Sequence, residues 1–305
     1  MPIHLPPISR RQFLGRTAAA AAGLVTLRPT FAADAKADPH AFALLADTHI
    51  PTDPTTEVRK VNMVDNLRRV IAQVSRLDPL PANALIDGDC AYLKGLPQDY
   101  TRLGKLVEPL RQAGVPLHLT LGNHDDREQF FAVYVNAEPT NPPVSSKHVS
   151  VLETPRANFF LLDSLEKTNQ TPGLLGAAQR AWLAQALDLR RDKPAVVVGH
   201  HNPQLQPTEQ GKWFGIKDSA EFFAVLTARA HVKAYVFGHS HHWEIAEHEG
   251  IHLVNLPPVA YVFRQGDPSG YVHAQLERDG MTLELRCLDE GHAKHKERVE
   301  LTWRA

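Results

Sequence analysis

HAFALLADTH, residues 40–49, is a short apolar run that stops at Asp47-Thr48-His49. A run of this length, bounded by polar residues and lacking a helical period, reads as a buried strand. The pattern then repeats. TEVRKVNMVDNLRRVIAQVSRL (56–77) sets Val61, Val64, Leu67, Ile71 and Val74 at helical spacing. NALIDGD (83–89) is a second strand running into a turn. DYTRLGKLVEPLRQAG (99–114) is a second helix closed by Gly114, and VPLHLTLGNHD (115–125) is a third strand and loop. The β-α-β-α-β order predicts a largely parallel sheet with helices packed on it.

The second half is richer in strands. KHVSVLE (147–153) and ANFFLLDS (157–164) read as neighbouring strands, PAVVVGH (194–200) as another buried one. VKAYVFGHSHH (232–242), IHLVNLP (251–257), GYVHAQLE (270–277) and MTLELRCLD (281–289) complete a strand-rich end. Helical patterns occupy 177–189 and 219–230. The segments 141–146 and 202–215 read as long loops, and long loops in a compact domain are often functional. The expectation is one domain over 36–305, an α/β fold with two packed sheets and helices outside.

The informative feature is where Asp, Asn and His fall. Asp47 and His49 follow the first strand, Asp89 the second, and Asn123, His124 and Asp125 the third. His200-His201 follows VVVG, and His239 and His241 follow YVFG. Ligands of open α/β sheets bind at the carboxyl ends of strands. Carboxylate oxygens and neutral imidazoles bind divalent transition metals. In an extended segment an i, i+2 pair points one way, so Asp47 with His49, and His239 with His241, are each expected to grip one ion. The adjacent glycines allow close approach of the backbone.

The composition excludes other classes. The chain has 305 residues, 33 Lys+Arg, 34 Asp+Glu, 17 His and two cysteines. Two cysteines make no disulfide framework. Residues 1–35 carry a basic pair, Arg10-Arg11, an alanine-rich weakly apolar run from Thr17 to Leu27, and an Ala33-Asp34-Ala35 cleavage pattern. This is the layout of an export signal, and the paired arginines resemble a twin-arginine signal that uses the Tat translocation machinery and leads to a periplasmic or secreted product. Removing it takes away four arginines and one aspartate and leaves a net charge of −4. A mildly acidic body offers no footprint for nucleic acid, and no later segment is apolar enough to span a membrane.

The five clusters in this order resemble the calcineurin-like metallophosphoesterase superfamily, with its DxH, GDxx, GNH(D/E), lone His and GHxH. The resemblance runs from Asp47 to His241. It implies a four-layer αββα sandwich and a hydrolase of small-molecule phosphoesters with two transition-metal ions, Mn, Fe, Zn or Co. It also implies that Asp47, His49 and His241 hold one ion and Asn123, His200 and His239 the other, with Asp89 bridging. Two such ions, ~3.5–4 Å apart, clamp a phosphate and activate a bridging hydroxide for attack on phosphorus. His124 would assist the leaving group. Tyr92 stands where the family often has an acidic residue or Asn, which leaves open what orients His124, with Asp125 and Asp126 as candidates. A His-x-Pro pattern picks His201 as the lone histidine, whereas strand register picks His200, the reading adopted. GNHDDREQF (122–130) resembles the branch acting on cyclic nucleotides and glycerophosphodiesters through Asp126, Arg127 and Phe130, which favours a diester substrate. The alternatives are an exported phosphomonoesterase and a non-catalytic metal- or phosphate-binding protein.

Overall fold

The computed structural model describes residues 3–5, 37–134 and 142–305. Among them, two large sheets face each other. The first has the order β1 (Ile3–Leu5), β6 (Leu117–Thr120), β5 (Pro81–Asp87), β2 (Asp38–Ala46), β13 (Gly270–Leu276), β14 (Gly280–Cys287), β15 (Arg298–Thr302). The second runs β11 (Glu244–His248), β12 (Ile251–Asn255), β10 (Val232–Phe237), β9 (Ala195–Val198), β8 (Asn158–Leu161), β7 (Ser150–Glu153). Strands β6, β5 and β2 are parallel, as are β12, β10, β9 and β8; antiparallel strands close both sheets.

The apolar run of β2 has a period of two despite its uniform composition. Phe42, Leu44 and Ala46 pack between the sheets with Phe159, Leu161, Val196, Val198 and Val236. The Phe42 and Phe159 rings stack at 4.5 Å across that layer. Ala43 and Leu45 point the other way, toward Leu67, Val70 and Ile71 of α1 (Met63–Val74) and Leu103 and Val107 of α2 (Pro97–Gln112). On the far side, Val197 and Tyr235 pack against Leu183 of α4 (Ala177–Asp188) and Phe222 and Leu226 of α5 (Ser219–Thr227). A strand buried on both faces needs apolar residues at every position, and each fully buried side chain contributes about 1.5–3 kcal/mol. This is the expected αββα sandwich.

Some elements differ from expectation. The 56–77 pattern divides: Glu57–Val58 (β3) and Val61–Asn62 (β4) form a small hairpin, and the helix starts only at Met63. Asn62 stops it from starting earlier, because its extended backbone and side chain cap Asp65 N–H. A short helix, α3 (Arg127–Val133), is capped by Asp126, which accepts from Gln129 N–H. The charged stretch at 291–300 has no buried residue but enters a strand not expected from its sequence, edge strand β15, at Arg298. Of the leader, residues 3–5 pair antiparallel with β6, and the rest lies outside the described residues, as do residues 135–141. Cys90 and Cys287 are free and buried. Among the described residues no helix is long and apolar enough to cross a membrane.

Candidate metal centre

Strands β2, β5 and β6 of one sheet and β9 and β10 of the other end at one edge of the sandwich. Just past those ends lie Asp47, His49, Asp89, Asn123, His124, His200, His239 and His241. Three groups draw their donor atoms within 4.8 Å of one another: Asp47, His49 and His241; Asp89, His200 and His239; and His49, Asp89 and His124. Asp89 Oδ2 stands 3.5 Å from His49 Nε2 and 3.3 Å from His200 Nε2, so one carboxylate belongs to both halves of the cluster. Asp47 Oδ1 lies 3.4 Å from His241 Nε2. Asn123, which is buried, leaves its Oδ1 without a hydrogen bond among the described residues, and it lines the same cavity as His49, Asp89 and His239.

The pairs converge by a route other than the extended backbone expected. Asp47 (φ 53°), His49 (φ 45°), Asp89 (φ 44°), His239 (φ 68°) and His241 (φ 52°) are all left-handed. Such residues cost of order 1–3 kcal/mol each and persist where the surroundings over-determine them, typically at functional sites. The close approach also needs glycine. A Cβ on Gly122 would sit 2.2 Å from Asp89 Oδ1, and one on Gly88, at φ +66°, would meet the His200 ring at 2.4 Å.

Four imidazoles have one nitrogen committed to a backbone carbonyl. His200 Nδ1 donates to Asp87 O (2.9 Å), His239 Nε2 to Phe214 O (2.8 Å), His241 Nδ1 to Tyr261 O, and His124 Nδ1 to Leu93 O (3.0 Å). A carbonyl only accepts, so each bond places N–H there and turns the other ring nitrogen toward the cluster. Metal-binding histidines are held in this way. His49 Nε2 and His241 Nε2 approach to 3.0 Å, with the His241 proton already spent on Tyr261.

The charges agree. Burial works against ionised Asp89, yet His200 and His49 hold its carboxyl well below the usual range. Burial likewise opposes charge on Asp47, and His241 and His200 keep it lowered. Burial alone would lower His200, but the Asp89 and Asp47 carboxylates push it up to about 10. Burial brings His49 down to about 3 and, with the His200 charge, His239 to about 4. The carboxylates of Asp47 and Asp89 thus stay ionised beside His49 and His239, which burial holds neutral. A site of carboxylate, imidazole and amide-oxygen donors fits Mn, Fe, Zn or Co.

The structure brings together all eight expected residues and separates their neighbours. His200 faces the cluster. His201 lies against His239, with ring centroids 4.6 Å apart and tilted by 45°, but turns its Nδ1 to Ser164 Oγ (2.7 Å). Neither Asp125 nor Asp126 orients His124. Asp125 is buried and accepts from the backbone N–H groups of Cys90, Ala91 and Gly122, fastening the Asp89 turn to the Asn123 turn. Asp126 caps α3, Arg127 pairs with buried Asp163, and Phe130 is core. The three residues behind the diester resemblance are therefore architectural. Leu93, Tyr261 and Phe214, whose carbonyls set the imidazoles, carry no sequence signal, because any residue supplies a carbonyl.

Residues 40–243 match the calcineurin-like phosphoesterase family. The chain is 28% identical over 240 residues to a probable cyclic nucleotide phosphodiesterase from Synechococcus sp., covering 78% of this chain and 88% of that one. It is 26% identical over 223 residues to the 3',5'-cyclic adenosine monophosphate phosphodiesterase CpdA of Haemophilus influenzae, covering 72% and 76%. Its backbone is similar to that of a dimetal phosphatase from Danio rerio, with a TM-score of 0.66 at 16% identity over 87% of this chain and 99% of that one, a likeness of fold. The chain belongs to the calcineurin-like phosphoesterase family and is a hydrolase acting on phosphoesters.

Proposed function

We propose that the chain is a two-metal phosphodiesterase that opens the cyclic phosphate of a nucleoside 3',5'-monophosphate. The observation that carries the reading is Asp89 Oδ2 standing between His49 Nε2 and His200 Nε2. Asp47, His49 and His241 would hold one ion, Asn123, His200 and His239 a second, and Asp89 both. When bound, the ions supply Lewis-acid charge for phosphoryl oxygens and lower the pKa of water. The chain contributes the rest. His124 Nδ1 is fixed on Leu93 O, and His124 N–H binds Asp89 Oδ1 at 2.8 Å, so the ring is set over the cavity. As water adds to phosphorus and the P–O bond to the leaving oxygen breaks, His124 holds a proton at Nε2 for that oxygen. The names of the relatives in Synechococcus and Haemophilus favour the diester.

The test is hydrolysis of 3',5'-cyclic AMP, bis(p-nitrophenyl) phosphate and p-nitrophenyl phosphate after chelation and return of Mn, Zn, Fe or Co. The expected order places both diesters ahead of the monoester. A faster monoester makes the chain a phosphatase, and metal binding without turnover makes it a binding protein. Loss of an outer-shell partner costs roughly 10–100-fold in such sites, so Asp89→Asn is expected to exceed that with an unchanged circular dichroism spectrum. Wild-type turnover in that variant would remove the bridging role.

We also propose that residues 1–35 direct export. Fractionation of cells carrying Lys at positions 10 and 11 is expected to leave the protein in the cytoplasm; unimpaired export would refute the twin-arginine reading.

A further inference from the structure

The loop from Asn202 to Asp218 is organised by one side chain. Gln204 Oε1 accepts from the N–H groups of Phe214 (2.8 Å) and Gly215 (2.9 Å), while its Nε2 donates to the carbonyls of Gln206 (2.9 Å) and Lys212 (3.1 Å). Gln204 N–H in turn binds Ser219 Oγ at 2.9 Å, and Ile216 bridges to Gly173 and Pro203. The backbone at Phe214 is thus pinned at a residue whose carbonyl receives His239 Nε2.

Phe214 is nevertheless 48% exposed as a residue, and among the described residues no ring or guanidinium stacks on it. An aromatic that anchors a loop is buried, but here Gln204 does the anchoring and the ring is left over. Phe214 lines the cavity of about 400 Å³ that contains His124, Asp89 and His239. Phe263, 49% exposed, lines it too, but is stacked on His241 (4.2 Å, 13°) and carries the Arg59 guanidinium 5.4 Å from its centroid. This cavity shares Asn202, Ser240 and Phe263 with a neighbouring one of about 670 Å³, and together they have room for more than a phosphate.

We propose that Phe214 is the stacking platform for the heterocyclic base of a nucleotide whose phosphate lies at the metal centre. The inference rests on the cyclic-nucleotide reading above and adds the residue that recognises the base. A ring on a pinned backbone loses little freedom on binding, and a flat apolar face beside a polar centre suits a molecule with a charged end and a planar end. Stacking of a base on an aromatic side chain is worth roughly ten- to a hundredfold in affinity.

The experiment is calorimetric titration of the full, Mn-loaded chain with 5'-AMP and with ribose 5-phosphate, which differ only in the base. The wild type is expected to bind AMP at least about tenfold more tightly. Phe214→Ala is expected to bring that ratio close to one without lowering the thermal midpoint, since the residue is exposed. Phe214→Trp should preserve the ratio and Phe214→Leu should not. A wild-type ratio near one, or a ratio that survives Phe214→Ala or Phe214→Leu, overturns the platform. Failure to hydrolyse cyclic AMP while bis(p-nitrophenyl) phosphate is turned over defeats the cyclic-nucleotide reading instead, and the binding ratio still decides the role of Phe214.

Discussion

Asp163 has a completely buried side chain, yet its carboxyl stays below the ordinary value. Burial pushes it up, but the Arg127 fork more than offsets this, with Nε on Oδ2 and Nη2 on Oδ1 at 2.7 Å each, helped by Lys147 and His148 N–H. Removing one member of a buried pair strands the other, so Asp163→Ala is expected to cost about 3–5 kcal/mol by urea denaturation at pH 7. A carboxyl with a depressed folded pKa stabilises above its unfolded value of about 3.9 and loses that contribution as the pH falls through the folded one. The gap between wild type and variant should therefore narrow below about pH 4; a gap independent of pH would mean that packing, not charge, explains it. At this scale the sequence reveals which residues meet, because Asp, Asn and His at strand ends announce themselves. It conceals the left-handed backbone at Asp47, His49, Asp89, His239 and His241, since φ is imposed by the packed surroundings and not by residue type. It conceals Leu93 as the partner of His124 for a related reason: Leu93 acts through its backbone, at φ 60°.

Among the elements, the buried parallel strands were legible because a doubly covered strand needs a short unbroken apolar run, as in AVVV of β9, and the polar and glycine residues that bound it leave no length for a helix. The hairpin at 57–62 was not, since Val61 fits the helical spacing of Val64, Leu67 and Ile71 and only the Asn62 cap separates them. Edge strands β11 and β15 were missed because one face of each is solvated and its charged residues imitate a loop. The turn between β6 and α3 carries a sharper requirement. With the Cβ of residue 122 only 2.2 Å from Asp89 Oδ1, Gly122→Ala must displace that carboxylate or the turn. The expected outcome is roughly a hundredfold loss of activity with a smaller loss of stability, read by kinetics and urea titration on the same sample. Full activity would show that the turn yields at no cost to Asp89.

In the whole molecule the donors divide between the sheets. Asp47, His49, Asp89 and Asn123 belong to the first, His200, His239 and His241 to the second. Cations held by both would act as a cross-link that the unfolded chain cannot keep. At a hundredfold excess over its dissociation constant, one bound ion adds about 2.7 kcal/mol, or roughly 5–10 °C in the midpoint of a domain this size. Mn is expected to raise the thermal midpoint by that amount and a chelator to reverse it; no shift in the wild type would count against ion binding at this edge.

The division of the donors between two sheets has a further consequence for descent. Their mutual placement is fixed by the sandwich interior, so the peptide joining one strand end to the next is free to lengthen, shorten or change composition. Innovation in what the enzyme accepts can then proceed through side chains of stretches such as 202–218, provided the backbone at Phe214 that receives His239 keeps its place.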